Sequence, residues 1–460
     1  MHGADPRTNG DREEVSRPTY PFEVRSRDVW AIALPASVAF ITEPLAGLVD
    51  ITVIGRLGDA SLLGGIVIGA LVFDFIFSLA YFLRIGTAGL TAQAVGARDP
   101  RDGLLHAARA LAIAVVAGIL MIVLMLPLLG LSLALMAPGP GVAEAFTAYF
   151  FVRIWAAPFS FMNYALLGWF YGRAAATTGM MLQMVMHGVN IVLSVAFVYG
   201  FGWGIEGVAW ATVIGAAASS LIGLALLVRH FGGLTRVLDL IAPADLMDAV
   251  ALRRMFSLSR DLMIRSIALM GAYGYFAAQG SRMGEVALSA NALLLNLLMF
   301  GAFFLDGVAQ AGEQLCGKAV GANWRPAFDR AYGLSFRWGV VLAGGLAVLW
   351  LVAGPMLIDL MTTNAEVRAY ARGYLVFAAL AMLTAMPGFI YDGILIGLTL
   401  NVMMRNGMLV SLVVFLAAAF TLQPTWGNTG LWVALHLWFI ARALYYWVAL
   451  ERQKAGLFAA

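Results

Sequence analysis

Residues 30–55 read WAIALPASVAFITEPLAGLVDITVIG, with Glu43 and Asp50 as the only ionisable side chains in the run. A span of the hydrocarbon core needs about 20 mostly apolar residues in a helix. This stretch is longer than that, and a soluble fold has no use for so long an apolar run. Eleven further stretches of the same kind follow, at 62–83, 104–128, 147–172, 178–201, 205–228, 261–281, 286–314, 334–357, 369–399, 406–423 and 428–450. The predicted fold is an all-α integral membrane protein of twelve transmembrane helices.

Composition agrees. Apolar residues make up 62% of the chain and charged ones only 12%, about half the share of a soluble domain. Mean hydropathy is +0.85 and the isoelectric point is near 9.0. The basic residues are dispersed between apolar runs, so they read as orientation signals and not as a nucleic-acid surface. With both termini cytoplasmic, the inner segments hold 21 Lys and Arg and the outer loops five: Arg56, Arg153, Arg282, Arg368 and Arg372. That asymmetry predicts a multi-pass protein of the inner membrane with both ends in the cytoplasm. The polar start has no basic region leading into a short apolar core, so no removable signal peptide is expected. The single Cys316 excludes a disulfide framework, a Cys-based zinc site and a dithiol redox centre. Five scattered histidines offer no metal spacing, and no cofactor is expected.

The two halves repeat. Arg56-Leu-Gly58-Asp59 matches Arg282-Met-Gly284-Glu285, and Ala94-Val-Gly-Ala97 matches Ala319-Val-Gly-Ala322. Gly168 and Gly172 match Gly393 and Gly397, and Gly207 matches Gly430. All lie 223–226 residues apart, which equals six spans, so the halves run parallel about an axis along the membrane normal. The expected organisation is a cytoplasmic tail (1–27), a six-helix lobe (28–230), an Arg-rich cytoplasmic loop (231–259), a second six-helix lobe (260–450) and a short cytoplasmic tail (451–460). Two equivalent lobes rocking about a shared cleft are the logic of alternating access.

Pro44-Leu-Ala-Gly-Leu-Val-Asp50-Ile-Thr-Val-Ile-Gly55-Arg-Leu-Gly58 resembles the first-helix signature of the multidrug and toxic compound extrusion (MATE) family. Its DinF branch is resembled by Leu83-Arg84-Ile-Gly-Thr-Ala-Gly-Leu-Thr-Ala-Gln93, Arg260-Asp261-Leu-Met-Ile-Arg265-Ser, Leu305-Asp306-Gly307 and Asp392-Gly-Ile-Leu-Ile-Gly397. The likeness runs from about 28 to 450. It implies a V of two lobes and export of organic, often cationic and amphipathic, compounds driven by inward H⁺ or Na⁺. The expected partners are thus a small organic substrate and the bilayer, with no nucleic acid, and the chain is expected to be a monomer.

Ionisable groups at membrane depth are costly, about 2.5–3.5 kcal/mol at a helix centre on insertion scales, and usually functional. Asp50 heads the cation-coupling candidates, since a carboxyl among apolar neighbours favours its neutral form and can cycle a proton. The resemblance also places the coupling carboxylate here. Glu43 lies two helical turns earlier on a similar face, with Pro44 between them able to bend the helix. On span five the resemblance implies an Asn followed four residues later by an Asp. This chain has Asn190 and then Ser194, which leaves Glu43 or Asp74 to supply a second charge. Asp306 and Asp392 are the candidates of the second half. Arg265 is read as their counter-ion, or as the partner of Asp261 four residues away, and Glu313 as structural. Trp155, Phe159, Asn163, Tyr164 and Ser194 are the candidates for substrate contact.

Three activities compete. An antiporter fits the repeat, the buried acids and the absence of a GxxxxGK[ST] nucleotide motif. A lipid or lipid-linked precursor flippase would want a strongly basic cavity, for which only Arg84 and Arg265 offer positive charge at depth. A membrane enzyme would need clustered His, Cys or a Ser–His pair, and none is visible.

Overall fold

A computed structural model describes residues 18–246 and 248–458. Arg7, Arg12 and Arg17, which enter the orientation count, lie outside the described residues, as does most of the 1–27 tail. The described chain is helical from end to end, as lipid demands: a backbone N–H or C=O left unpaired in hydrocarbon costs several kcal/mol, and helices satisfy all of theirs internally.

The first half comprises α1 (Ser26–Gly55), α2 (Ala60–Ser78), α3 (Phe82–Gly96), α4 (Pro100–Val123), α5 (Met125–Met136), α6 (Pro140–Arg153), α7 (Ala157–Gly172), α8 (Ala176–Val195) and α9 (Gly204–His230). The connection forms α10 (Leu234–Leu240) and α11 (Pro243–Leu246). The second half holds α12 (Ala249–Arg282), α13 (Glu285–Gly321), α14 (Arg325–Met361), α15 (Ala365–Gly397), α16 (Asn401–Trp426) and α17 (Asn428–Lys454). Among the described residues, eleven spans are long and apolar enough to cross a membrane, with α2–α3 and α6–α7 counted as one each. α12 takes the place of the remaining span.

Local chemistry sets the boundaries. Asp59 caps α2, its Oδ1 accepting the Ser61 N–H at 2.8 Å. Asp99 caps α4 ahead of Pro100, and Asn364 caps α15. The connection is not the open loop expected over 231–259. It folds back on α4, where Arg101 pairs with Asp245 at 2.8 Å and Arg109 Nε donates to the Asp245 carbonyl at 2.9 Å. α12 also begins well before 260, because a helix can run on past the apolar core with polar residues on its faces. The second span likewise continues to Gly96, beyond the predicted end at 83.

The repeat is explicit in the packing. A Cβ on Gly168 would strike the Arg84 carbonyl, and one on Gly393 the Ala309 carbonyl. Gly172 lies in the same way on Ala88, and Gly397 on Glu313. Each glycine and each partner is displaced by 225 residues from its counterpart. The lobes meet where α3 and α13 end: Gly96 abuts the Lys318 carbonyl, and Gly321 abuts that of Gln93, its equivalent by the same offset. The pseudo-twofold axis passes through this reciprocal contact. Further links on this side are Gln93 Nε2 to the Gly397 carbonyl (2.9 Å) and the Tyr20 N–H to the Ala322 carbonyl (2.9 Å). The seam thus closes the end of the bundle that carries both termini.

The halves differ in where their helices break. α2 and α3 are separated by a tight turn at Leu79–Tyr81, with bonds from Ala80 N to Phe77 O and Tyr81 N to Ser78 O, whereas α13 runs unbroken through the equivalent residues.

Candidate functional site

A cavity of about 540 Å³ opens inside the first lobe. α1 contributes Glu43 and Asp50, α2 Asp74, α6 Tyr149 and Arg153, α7 Asn163 and Tyr164, α8 His187 and Asn190, and α9 Thr212. From the second lobe, among the described residues, only Ser266 and Phe303 reach it.

Asp50 is held by hydrogen-bond donors. Ser194 Oγ donates to its Oδ1 at 2.7 Å, and Asn190 Nδ2 approaches its Oδ2 at 3.4 Å. Asn190 Nδ2 also donates to Thr212 Oγ1 at 2.9 Å, while its own Oδ1 is buried without a partner. Among the described residues no basic group comes within 4 Å of Asp50. Ser194 and Asn190 are four residues apart, hence on one face of α8. Ser194 is fully buried behind Asp50 and does not line the cavity, so it meets the carboxylate and not a substrate.

Glu43 and Asp74 are exposed to the cavity they line. Arg153 is the cation of this space. The sequence count assigns it to an outer loop, although the span predicted at 147–172 already contains it. The span in fact starts at Pro140, which puts Arg153 deep inside. Its guanidinium lies over the rings of Phe77 (4.9 Å) and Phe73 (5.3 Å), on the same cavity wall as Asp50 and Asp74. The signal for it was its own setting, Phe150-Phe151-Val152-Arg153-Ile154-Trp155.

The four span-four candidates divide by helix face. Asn163 and Tyr164 line the cavity, and Tyr164 stacks edge-on against Tyr81 at 5.5 Å. Trp155 is half exposed on the outside, and Phe159 packs with Ala156, Val213 and Ala216; neither lines the cavity.

The second lobe is built differently. Arg265 Nη2 donates to Asp392 Oδ2 at 2.5 Å, with Arg442 Nη1 at 3.8 Å from the same oxygen. Asp392, a cation-coupling candidate by sequence, is therefore clamped between two guanidinium groups. Asp261 does not bond Arg265; it binds Arg405 at 2.7 Å and Arg260 at 3.5 Å. The symmetry-related positions give the reason. In the first lobe Asn163 Oδ1 accepts from Ser219 Oγ at 2.8 Å. Their equivalents are Gly388 and Arg442, and the missing side chain at Gly388 is the space that the Arg442 guanidinium fills. Asp306 has no ion pair within 4 Å among the described residues, unlike Asp392 and Asp261. Glu313 is buried beside Gln310, whose Oε1 accepts from Arg84 Nη2 at 2.6 Å. Arg84 also contacts the Tyr81 hydroxyl and lies over Phe40, Tyr81 and Tyr171, so it ties the two lobes together.

Comparison with known proteins agrees with this architecture. The family model described as MatE matches residues 35–196 and 269–421, one block in each lobe. DNA damage-inducible protein F of Escherichia coli (strain K12) is 36% identical over 420 residues, covering 90% of each chain. The multidrug export protein MepA of Staphylococcus aureus (strain MSSA476) is 20% identical over 400 residues, covering 85% of this chain and 87% of its own. A crystal structure of MATE in the straight conformation superposes with a TM-score of 0.85 at 19% identity, over 94% of this chain and 96% of its own, which speaks to the fold. The chain belongs to the MatE family of multidrug and toxic compound extrusion transporters, on its DinF branch.

Proposed function

We propose that this protein is a secondary antiporter of the inner membrane that exports amphipathic organic cations in exchange for protons, with Asp50 as the exchanging group. The observation that carries the reading is the setting of Asp50: a carboxylate at membrane depth, on the wall of a cavity, served by Ser194 and Asn190 and by no basic partner within 4 Å. A permanent guanidinium would hold the acid charged; hydroxyl and amide donors let it gain and lose a proton. Three acids (Glu43, Asp50 and Asp74) against one Arg153 make the cavity attractive to cations, and Tyr164 offers a ring to a flat one. The same sign of charge speaks against a flippase for anionic lipids. Asp392, neutralised twice over, serves the second lobe's structure. With both termini in the cytoplasm, the sealed end is cytoplasmic and the cavity faces outward. Each copy has its own cavity and acts as a monomer.

The test is ethidium transport in proteoliposomes, with ΔpH and Na⁺ gradients imposed separately. The wild-type chain is expected to move dye against its gradient under ΔpH alone, and Asp50→Asn to lose that movement while binding dye. Transport driven only by Na⁺ would replace the proton in this reading, and full activity of Asp50→Asn would end it.

A further inference from the structure

Trp169 forms the base of a second cavity, of about 210 Å³, at the termini end of the first lobe. Here α3, α7 and α9 end and α4 begins. No residue of the drug-sized cavity is shared with it.

Its charge is unbalanced. Arg98 and Arg173 both line it, and among the described residues neither has a carboxylate within 4 Å. Each guanidinium is instead laid on an aromatic face, Arg98 over Tyr20 at 4.7 Å and Arg173 over Trp169 at 4.5 Å. Stacking fixes the plane of an Arg and leaves its fork of N–H donors free. His230 stands edge-on to Trp169 at 5.6 Å. The one acid on the wall, Asp99, spends an oxygen on the Asp102 N–H (2.9 Å) to cap α4.

A second, independent feature lies on the same wall. Thr91 is fully buried and its hydroxyl has no partner among the described residues. A helical Thr commonly returns its hydroxyl to the carbonyl four residues back. A buried donor left unpaired is costly, so an acceptor oxygen from a ligand would repay its position.

The cavity sits where the spans end, at headgroup level, on the Arg-rich side. Basic pockets between spans at that level suit lipid phosphates, and Arg is the residue best matched to a phosphate. We propose that this cavity binds the phosphate headgroup of an anionic membrane lipid, with Arg98 and Arg173 on the phosphate oxygens and the Thr91 hydroxyl donating from the buried wall. The site adjoins the seam: Arg98 lies on Tyr20, whose N–H reaches the second lobe at Ala322. A bound headgroup steadies Arg98 against that tie and so favours the sealed state.

The test uses the purified full chain and native mass spectrometry after detergent exchange. Dioleoyl phosphatidylglycerol is compared with dioleoyl phosphatidylcholine, and inorganic phosphate and glycerol 3-phosphate serve as soluble competitors. The wild-type chain is expected to retain phosphatidylglycerol selectively. The double variant Arg98→Gln/Arg173→Gln should retain about tenfold less, since each Arg near the surface favours an anionic lipid by roughly a few-fold. Gly103→Leu fills the cavity with every charge in place, its Cβ meeting Ala94 at an ordinary 3.7 Å, and it should also lose the lipid while keeping the wild-type unfolding midpoint. Arg229→Gln, outside the cavity on the same helix end, should behave as wild type. Wild-type retention by both cavity variants would overturn the assignment, as would equal loss in Arg229→Gln. Displacement of the lipid by millimolar phosphate or glycerol 3-phosphate would overturn the membrane as its source.

Discussion

Ser194 stands where the family pattern implies a second acid, and its hydroxyl donates to Asp50 at 2.7 Å. The pair is therefore one carboxylate with a neutral donor, not two carboxylates sharing a cation. A hydrogen bond to a charged group contributes about 1.5–3 kcal/mol. Ser194→Ala is expected to slow dye export about tenfold or more, and Ser194→Thr, which keeps the hydroxyl, to preserve most of it; initial efflux rates in proteoliposomes decide. Asp392 has the opposite setting. Asp392→Asn would leave Arg265 and Arg442 buried without an anion, at a cost of about 3–5 kcal/mol. A large fall in the midpoint of thermal unfolding in detergent is expected for Asp392→Asn, and a much smaller one for Asp306→Asn, which breaks no close pair. Equal falls would remove the distinction between the two acids.

At the scale of the helix, equivalent glycines let equivalent helices touch. Gly172 rests on Ala88 of α3, and Gly397 rests on Glu313 of α13. A valine at either site drives a side chain into backbone, and overpacking of this kind costs about 1–3 kcal/mol. Gly172→Val and Gly397→Val should therefore lower thermal stability by similar amounts, whereas Gly188→Val, where a Cβ meets nothing within 4 Å, should not. The break between α2 and α3 has no twin in α13. It carries Tyr81 to the cavity wall and lets Arg84 reach Gln310 in the other lobe. The first lobe thus has a jointed span where the second has a rigid one, and the cavity is on the jointed side.

The whole molecule closes on a small area around its pseudo-twofold axis, where Gly96 and Gly321 bring two backbones together. Few polar contacts tie this seam among the described residues, which suits the alternating access of the proposed antiporter. Gly321→Val is expected to hold the seam ajar and to abolish export. A cysteine replacing Gln93, in a Cys316→Ser background, should then react faster with a maleimide applied from the termini side than it does with Gly321 intact. Unchanged labelling would show that the seam does not depend on that approach.

The apolar runs, their number and the offset of the repeat were legible in the sequence, because lipid imposes length and hydropathy on each span separately and duplication leaves matching glycines. Asp50 was legible for the same reason: an acid within an apolar run stands out without reference to any neighbour. Partners were not. That Arg265 meets Asp392 and not Asp261, that Arg442 fills the space over Gly388, and that Ser194 turns to Asp50 depend on which helices pack together and at what height. Arg153 was counted with the outer loops although the span predicted at 147–172 contains it; hydropathy does not say which way a basic side chain turns, and packing turns this one to the cavity. Hydropathy is a property of each segment alone, whereas the pairing of buried charges is a property of packed helices, so only the tertiary structure decided which acid is clamped between guanidinium groups and which has no basic group within 4 Å among the described residues.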